Sequence, residues 1–197
     1  MIKMQEVIQK AMQMAVKEIE ETGLPLRIHF DSANEKGQEI AEMLGADKEV
    51  VLLGTMLMDC KLGQAIKLGK PGEHVAMSVT AAKKLLAEFN LPEEKVKKVL
   101  NCIEAHHKAI PFTCKEAEIC ANADCYRFIY PKNVFAFIVK NVAVENMSLE
   151  NSINFAYYKL EEKHRILSLD VCKKELKGYY QMFKKMFEEC NAKPEGR

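Results

Sequence analysis

The sequence predicts an all-α protein, and three observations carry that reading. Apolar residues recur at three- and four-residue steps through nearly the whole chain, the period that covers one face of a helix. No stretch shows the strict alternation of a half-buried strand. Glycines, prolines and small polar residues stand at the ends of the periodic stretches, where helices start and stop.

The first stretch, residues 1–22, carries Met4, Ile8, Ala11, Met12, Ala15 and Ile19 on one stripe and stops at Gly23-Leu24-Pro25. That Met-rich stripe reads as core packing, with a homodimer contact as the alternative. A second helix, about 26–44, ends at Gly45, a residue suited to the left-handed turn that closes a helix. Asp47 caps a third helix through Met58, so apolar that it must be buried all round. Lys61 to Gly72, punctuated by Gly63, Gly69, Pro71 and Gly72, reads as a connection. Helices follow at about 73–89 and 92–108, with Pro92 tolerated in the first turn of the latter and Pro111 as its breaker. Thr113 and Glu116 have the spacing of a capping box that opens a helix at about 114–129. Another begins at Pro131 and runs to about 143, and Ser148 and Ser168 read as caps of the last two, which reach about 190. Without a repeat, low-complexity tract or linker, the chain reads as a single-domain helical bundle. An N-terminal helix over 1–25 packs on a helical domain over 26–192, and a tail over 193–197 frays.

Composition excludes several function classes. The net charge of +1, from 29 Lys+Arg against 28 Asp+Glu, gives no strong nucleic-acid signal and no attraction to an anionic membrane. The longest apolar run, Val50 to Met58, falls short of the about 20 residues a bilayer requires. Lys3, Glu6 and Lys10 interrupt any secretory signal at the N-terminus. The 7 cysteines form no CxxC pair and are odd in number, which suits buried thiols in a reducing, cytoplasmic setting.

The histidines are the informative residues. Of 5, four fall in an ordered series with two aspartates: His29, Asp59, His74, the doublet His106-His107, and Asp124. His29 begins the stripe Ala33, Gly37, Ile40, Leu44, and His74 begins Ser78, Ala81, Leu85, Phe89. His106 or His107 closes Val96, Val99, Leu100, Ile103. Asp124 lies between Cys120 and Phe128, and Asp59 ends the most apolar helix. Taken singly, each has an ordinary explanation: a buried histidine is usually just hydrogen-bonded, and Asp124 could pair with Arg127. Together, ionisable groups aimed at the core from five helices make sense around a shared cation. His164, within the run Glu161-Glu162-Lys163-His164-Arg165, reads as a surface residue.

The stretch HFDSANEKGQEIAEMLGADKEVVLLGTMLMDC resembles the opening of the HD-domain metal-dependent phosphohydrolases. Those begin with a histidine and reach a His-Asp dipeptide closing an apolar helix. EHVAMSVTAAKKLLAEFNLPEEKVKKVLNCIEAHHKAIPFTCKEAEICANADCYRF is similar to the family's later portion, with His74, His106-His107 and Ala123-Asp124 in the matching places. The resemblance implies an HD-type helical fold and roles as metal ligands for His29, Asp59 and Asp124. Met58-Asp59 replaces the dipeptide, so this is a divergent member; a thioether suits Mg, Mn or iron poorly. His74, His106 and His107 match the extra ligands of two-metal branches, in which Asp59 would bridge. The implied cofactor is a divalent ion (Mn, Fe, Co, Ni, Zn or Mg), one or two per chain. The implied activity is hydrolysis of a small phosphoester or nucleotide by metal-activated water that Asp59 orients. Lys61 and Lys70, together with Lys67, either reach the phosphate or are ordinary solvated loop lysines. The Gly-Tyr-Pro motif of cyclic-di-GMP cleavage is absent after His107, as is the Glu-Asp pair of some nucleotidase members. The alternative is a catalytically degenerate HD-domain protein used as a ligand-binding or interaction module; beyond it stands a helical interaction domain whose histidines are structural.

Overall fold

A computed structural model of the chain describes residues 4–194. The expected helical positions 1–3 and the expected frayed positions 195–197 lie outside the described residues. Among those described, every regular element is helical and none is a strand, so the all-α class is borne out. The helices are α1 (Met4–Thr22), α2 (Arg27–Leu44), α3 (Lys48–Leu57), α4 (Leu62–Lys67), α5 (His74–Ala87), α6 (Glu93–Ala105), α7 (Lys115–Ile129), α8 (Pro131–Ala143), α9 (Leu149–Ile166) and α10 (Asp170–Glu189). No helix among these residues is long and apolar enough to cross a membrane. The chain divides into two compact units, one up to Ala123 and one from Asp124.

In the first unit α3 is central, in contact with α1, α2, α5 and α6. That placement explains a helix with no polar face: Val50, Val51, Leu53, Met56 and Leu57 are all buried. Its start is fixed locally, since Asp47 accepts the N–H groups of Glu49 and Val50. Gly45, at φ 61°, closes α2 just before it. Gly54 lets α3 approach α6 closely. A Cβ there would stand 2.5 Å from Cys102 Cβ and 2.7 Å from Cys120 Sγ. The buried face of α1 is Val7, Ala11, Ala15 and Glu18, so the helix is rotated from the Met-rich stripe, whose Met4, Ile8, Met12 and Ile19 are only half-buried.

Four local expectations are corrected, two of them by tertiary bonds. The connection 61–72 contains α4 and a 3-10 turn, Pro71–Glu73. Helix α4 forms because Glu18 Oε1 accepts the Gln64 N–H at 2.6 Å, an N-terminal cap supplied from α1. Gly63 makes room for it; a Cβ would lie 1.9 Å from Thr22 Oγ1. Helix α6 stops at Ala105, before Pro111, because Lys108 takes φ 57° and returns its N–H to the Ala105 carbonyl at 2.7 Å. The Thr113/Glu116 box is not formed: Glu116 Oε1 accepts the Asp47 N–H at 3.1 Å, and the Thr113 N–H goes to Asn101 Oδ1 at 2.8 Å. Ser168 is not a cap, since α10 starts at Asp170 behind Leu169. Ser148 is one, accepting the Asn151 N–H.

In the second unit α9 packs against α8 and α10. Aromatic contacts fill it, with Phe137 touching both Phe128 and Phe155, and Phe183 touching both Phe135 and Phe187. The stripe Ala156, Leu160, Lys163 on α9 is buried, so a lysine sits where the phase of the helix calls for an apolar residue. The thiols of Cys60, Cys102, Cys120, Cys125 and Cys172 are buried, as expected, while Cys190 is exposed. Burial pushes the Cys60 thiol up to about 12.

Candidate metal centre

Three helix ends of the first unit build the centre. Asp59 follows the C-cap residue of α3, Met58, while His74 opens α5 and the doublet His106-His107 follows α6. Placement at ends has a physical consequence: these side chains leave the helix barrels, and backbone carbonyls there are free to orient them. Asp59 Oδ1 lies 3.4 Å from His74 Nε2 and 3.7 Å from His106 Nε2. His74 Nε2 lies 3.2 Å from His107 Nε2. The rings of His106 and His107 are 4.0 Å apart between centroids. One donor atom from each of His74, His106 and His107 falls within 4.8 Å of the others. His106 is fully buried and Asp59 nearly so, while His74 and His107 are half-buried and form the side that meets solvent.

Backbone carbonyls fix two of the rings. His74 Nδ1 is 2.7 Å from the Pro71 carbonyl, and His106 Nδ1 is 2.7 Å from the Ile103 carbonyl. A carbonyl only accepts, so each Nδ1 carries its hydrogen and each neutral ring turns a lone pair outward from Nε2. Both of these Nε2 atoms face Asp59. Three imidazoles beside one carboxylate fit a borderline divalent ion such as Zn, Fe, Co, Ni or Mn, and the pinned second nitrogens are the support such ligands commonly have.

The remaining candidates are placed differently. His29 is buried in the first turns of α2 and is not in the mutual group of donor atoms. Met58 is buried at the C-cap of α3. Asp124 belongs to the second unit, where Oδ1 is 2.6 Å from Arg127 Nη1 and Oδ2 is 2.6 Å from Lys163 Nζ. Burial opposes the charge on Lys163, but the carboxylates of Asp124 and Glu162 outweigh it and hold its pKa above the ordinary lysine value. Of the loop lysines, Lys61 Nζ stands 3.5 Å from Glu18 Oε2 and Lys70 Nζ 3.1 Å from Glu73 Oε1. Lys67 donates to the Glu21 carbonyl. His164 is exposed and stacks on Tyr180. Two buried charged side chains, Glu18 and Lys163, do not stand out in the sequence. Glu18 was detectable at a three-residue step after Ala15, and Lys163 at the same step after Leu160. The Pro71 and Ile103 carbonyls leave no trace in a sequence.

No family model matches the chain. An 85-residue stretch, 43% of this chain, is 38% identical to ribonuclease Y of Finegoldia magna and spans 15% of that protein. The crystal structure of a "predicted HD superfamily hydrolase" from an uncultured Thermotogales bacterium matches with a TM-score of 0.65, covering 92% of this chain and 89% of that one. Sequence identity to it is 16%, so the likeness is one of fold. The chain carries the fold of the HD superfamily, the family that its ordered histidines and aspartates resemble.

Proposed function

We propose that the protein is a metal-dependent phosphohydrolase acting on a small phosphoester of the nucleotide class, with Asp59, His74, His106 and His107 as its metal centre. The observation that carries this is the pair of Nε2 atoms of His74 and His107 at 3.2 Å beside the Asp59 carboxylate. The pinned His74 presents a lone pair there, an arrangement that a proton or a cation between the rings relieves. The HD fold and the sequence likeness to a ribonuclease support phosphoester chemistry. A divalent ion bound by this set supplies Lewis acidity toward a phosphoryl oxygen and a lowered pKa for water. Asp59 accepts a hydrogen bond from the attacking water and orients it for in-line displacement. Pro71 and Ile103 hold two imidazoles so that their orientation is set before substrate arrives. The half-exposed side formed by His74 and His107 admits the phosphate. Lys61 borders a groove of about 500 Å³ lined also by Met14, Met77 and Lys84, on which the rest of a substrate could lie. We also read residues 26–192 as the extent of the HD-type domain, with 1–25 as an addition to it.

Met58 in the dipeptide position and the ion pairs on Asp124 favour a second reading, a degenerate HD-domain protein that binds a ligand without hydrolysing it. Elemental analysis of untagged protein separates the two. It is paired with a panel of phosphomonoesters, nucleotides, cyclic dinucleotides and short RNA, assayed with Mn, Co, Ni and Mg against Asp59→Asn. The enzyme reading expects a stoichiometric transition metal and hydrolysis lost in Asp59→Asn. Metal-free protein indifferent to added Mn and Ni leaves the binding module.

A further inference from the structure

We infer that Asp124 is not a metal ligand in this chain, because Lys163 already serves as its resident cation. The protein then holds one divalent ion per chain. The location of that ion at Asp59 and the three histidines rests on the proposed function; the pairing of Asp124 does not.

A lysine this deeply buried is costly unless its charge is matched, and Lys163 is 1% exposed. Its Nζ lies 2.6 Å from Asp124 Oδ2 and 3.2 Å from Glu162 Oε1. Arg127, also buried, places Nη1 2.6 Å from Asp124 Oδ1. Asp124 Oδ1 therefore accepts a charge-assisted hydrogen bond from Arg127, and Oδ2 is ion-paired with Lys163 outside hydrogen-bond alignment. A divalent ion on either oxygen would stand against an ammonium or a guanidinium. Displacing Lys163 would strand its charge in an interior where its other near neighbours include the Phe128 ring. Met58 points the same way: of the family's ligand set, the dipeptide imidazole is missing and the terminal aspartate is internally neutralised. An ammonium has no open coordination position and no Lewis acidity worth the name, so it can replace the electrostatic role of a metal at Asp124 but not its chemistry.

The test is titration with Mn(II), read by the free-ion EPR signal, on the parent, on Asp124→Asn/Lys163→Met and on Asp59→Asn. Thermal unfolding of both single variants and the double runs alongside. The double variant removes both charges, which avoids the unmatched buried charge of either single change. Expected is one Mn per chain in both parent and double variant, with affinities within about threefold, and a loss of about tenfold to a hundredfold in Asp59→Asn. A second ion in the parent that disappears from the double variant, or an affinity about tenfold weaker there, would overturn the inference. If the parent binds no Mn, the proposed function fails and unfolding alone decides the inference. A Tm loss in the double variant clearly smaller than the sum of the single losses upholds the pair, and additive losses overturn it. Should Lys163→Met not fold, Lys163→Arg and Lys163→Gln take its place in that comparison. Retention of Tm by the former together with loss by the latter upholds a charge role, and equal Tm in the two overturns it.

Discussion

Replacing Gly54 with alanine should loosen the metal centre from a position that does not touch it. The new Cβ would lie 2.5 Å from Cys102 Cβ and 2.7 Å from Cys120 Sγ, whereas carbon atoms in contact prefer about 3.5–4.0 Å. Cys102 Cβ is fixed to the α6 backbone and cannot rotate away, so α3 and α6 must separate by roughly 1 Å at this level. Overpacking of this kind costs about 1–3 kcal/mol, and alanine in place of a helical glycine returns up to about 1 kcal/mol. The net loss of about 1–2 kcal/mol should lower Tm by roughly 2–8 °C in a chain of this size. The same separation acts on the centre, because Gly54 shares its helix with the turn that carries Asp59, and Cys102 shares its helix with His106. The gap of 3.7 Å between Asp59 and His106 widens, and Mn(II) affinity should fall about tenfold. Thermal unfolding and Mn(II) titration of one preparation read both effects, and adding Cys120→Ala, which relieves only the sulfur contact, should restore part of each. A Gly54→Ala protein with raised Tm and unchanged Mn(II) binding would refute the link between helix spacing and the centre.

Gly178, on the exposed face of α10 with nothing within 4 Å of an added Cβ, is the converse case. Gly178→Ala should stabilise by about 0.5–1 kcal/mol in denaturant unfolding. Asp47→Ala should cost about 1 kcal/mol at neutral pH through loss of the α3 cap. Burial pushes the Asp47 carboxyl up, but the Val50 and Glu49 N–H groups and the Lys95 ammonium pull it further down, below the ordinary aspartate value. Its contribution is therefore complete above the ordinary range and lost as pH falls through the lowered folded value, so variant and parent should converge in acid. Met58→His restores the family dipeptide yet should leave the Mn(II) count per chain unchanged, since Asp124 stays paired with Lys163; a gain of one ion would contradict that pairing. A thiol reagent at mildly alkaline pH should modify Cys190 first and Cys60 only after unfolding, which Cys190→Ser checks by removing the fast phase.

Local chemistry made part of this protein readable without coordinates. Asp47 as a cap, Gly45 as a left-handed terminus and the all-round burial of α3 each follow from residues within a few positions of one another. The sequence also named Asp59, His74, His106 and His107, the side chains that the fold brings close together, because an ionisable side chain on an apolar stripe is visible wherever it lies. It left open which residue of the doublet faces inward, and the turn at Lys108 decides that, burying His106 and half-exposing His107. Helix α4 was not legible as a helix, since its cap comes from Glu18 on a different helix. Lys163 was hidden inside a run of charges whose composition suggests solvent.

The sequence by itself determined the helical class, the helix ends set by neighbouring residues and the roster of ionisable groups. Tertiary structure alone decided the long-range partners: Asp59 with His74 and His106, and Asp124 with Lys163. The reason is one of range. Helix periodicity and capping act over about four residues, within reach of pattern. A charge is matched by whatever the fold brings within a few ångströms, and no spacing along the chain encodes that distance.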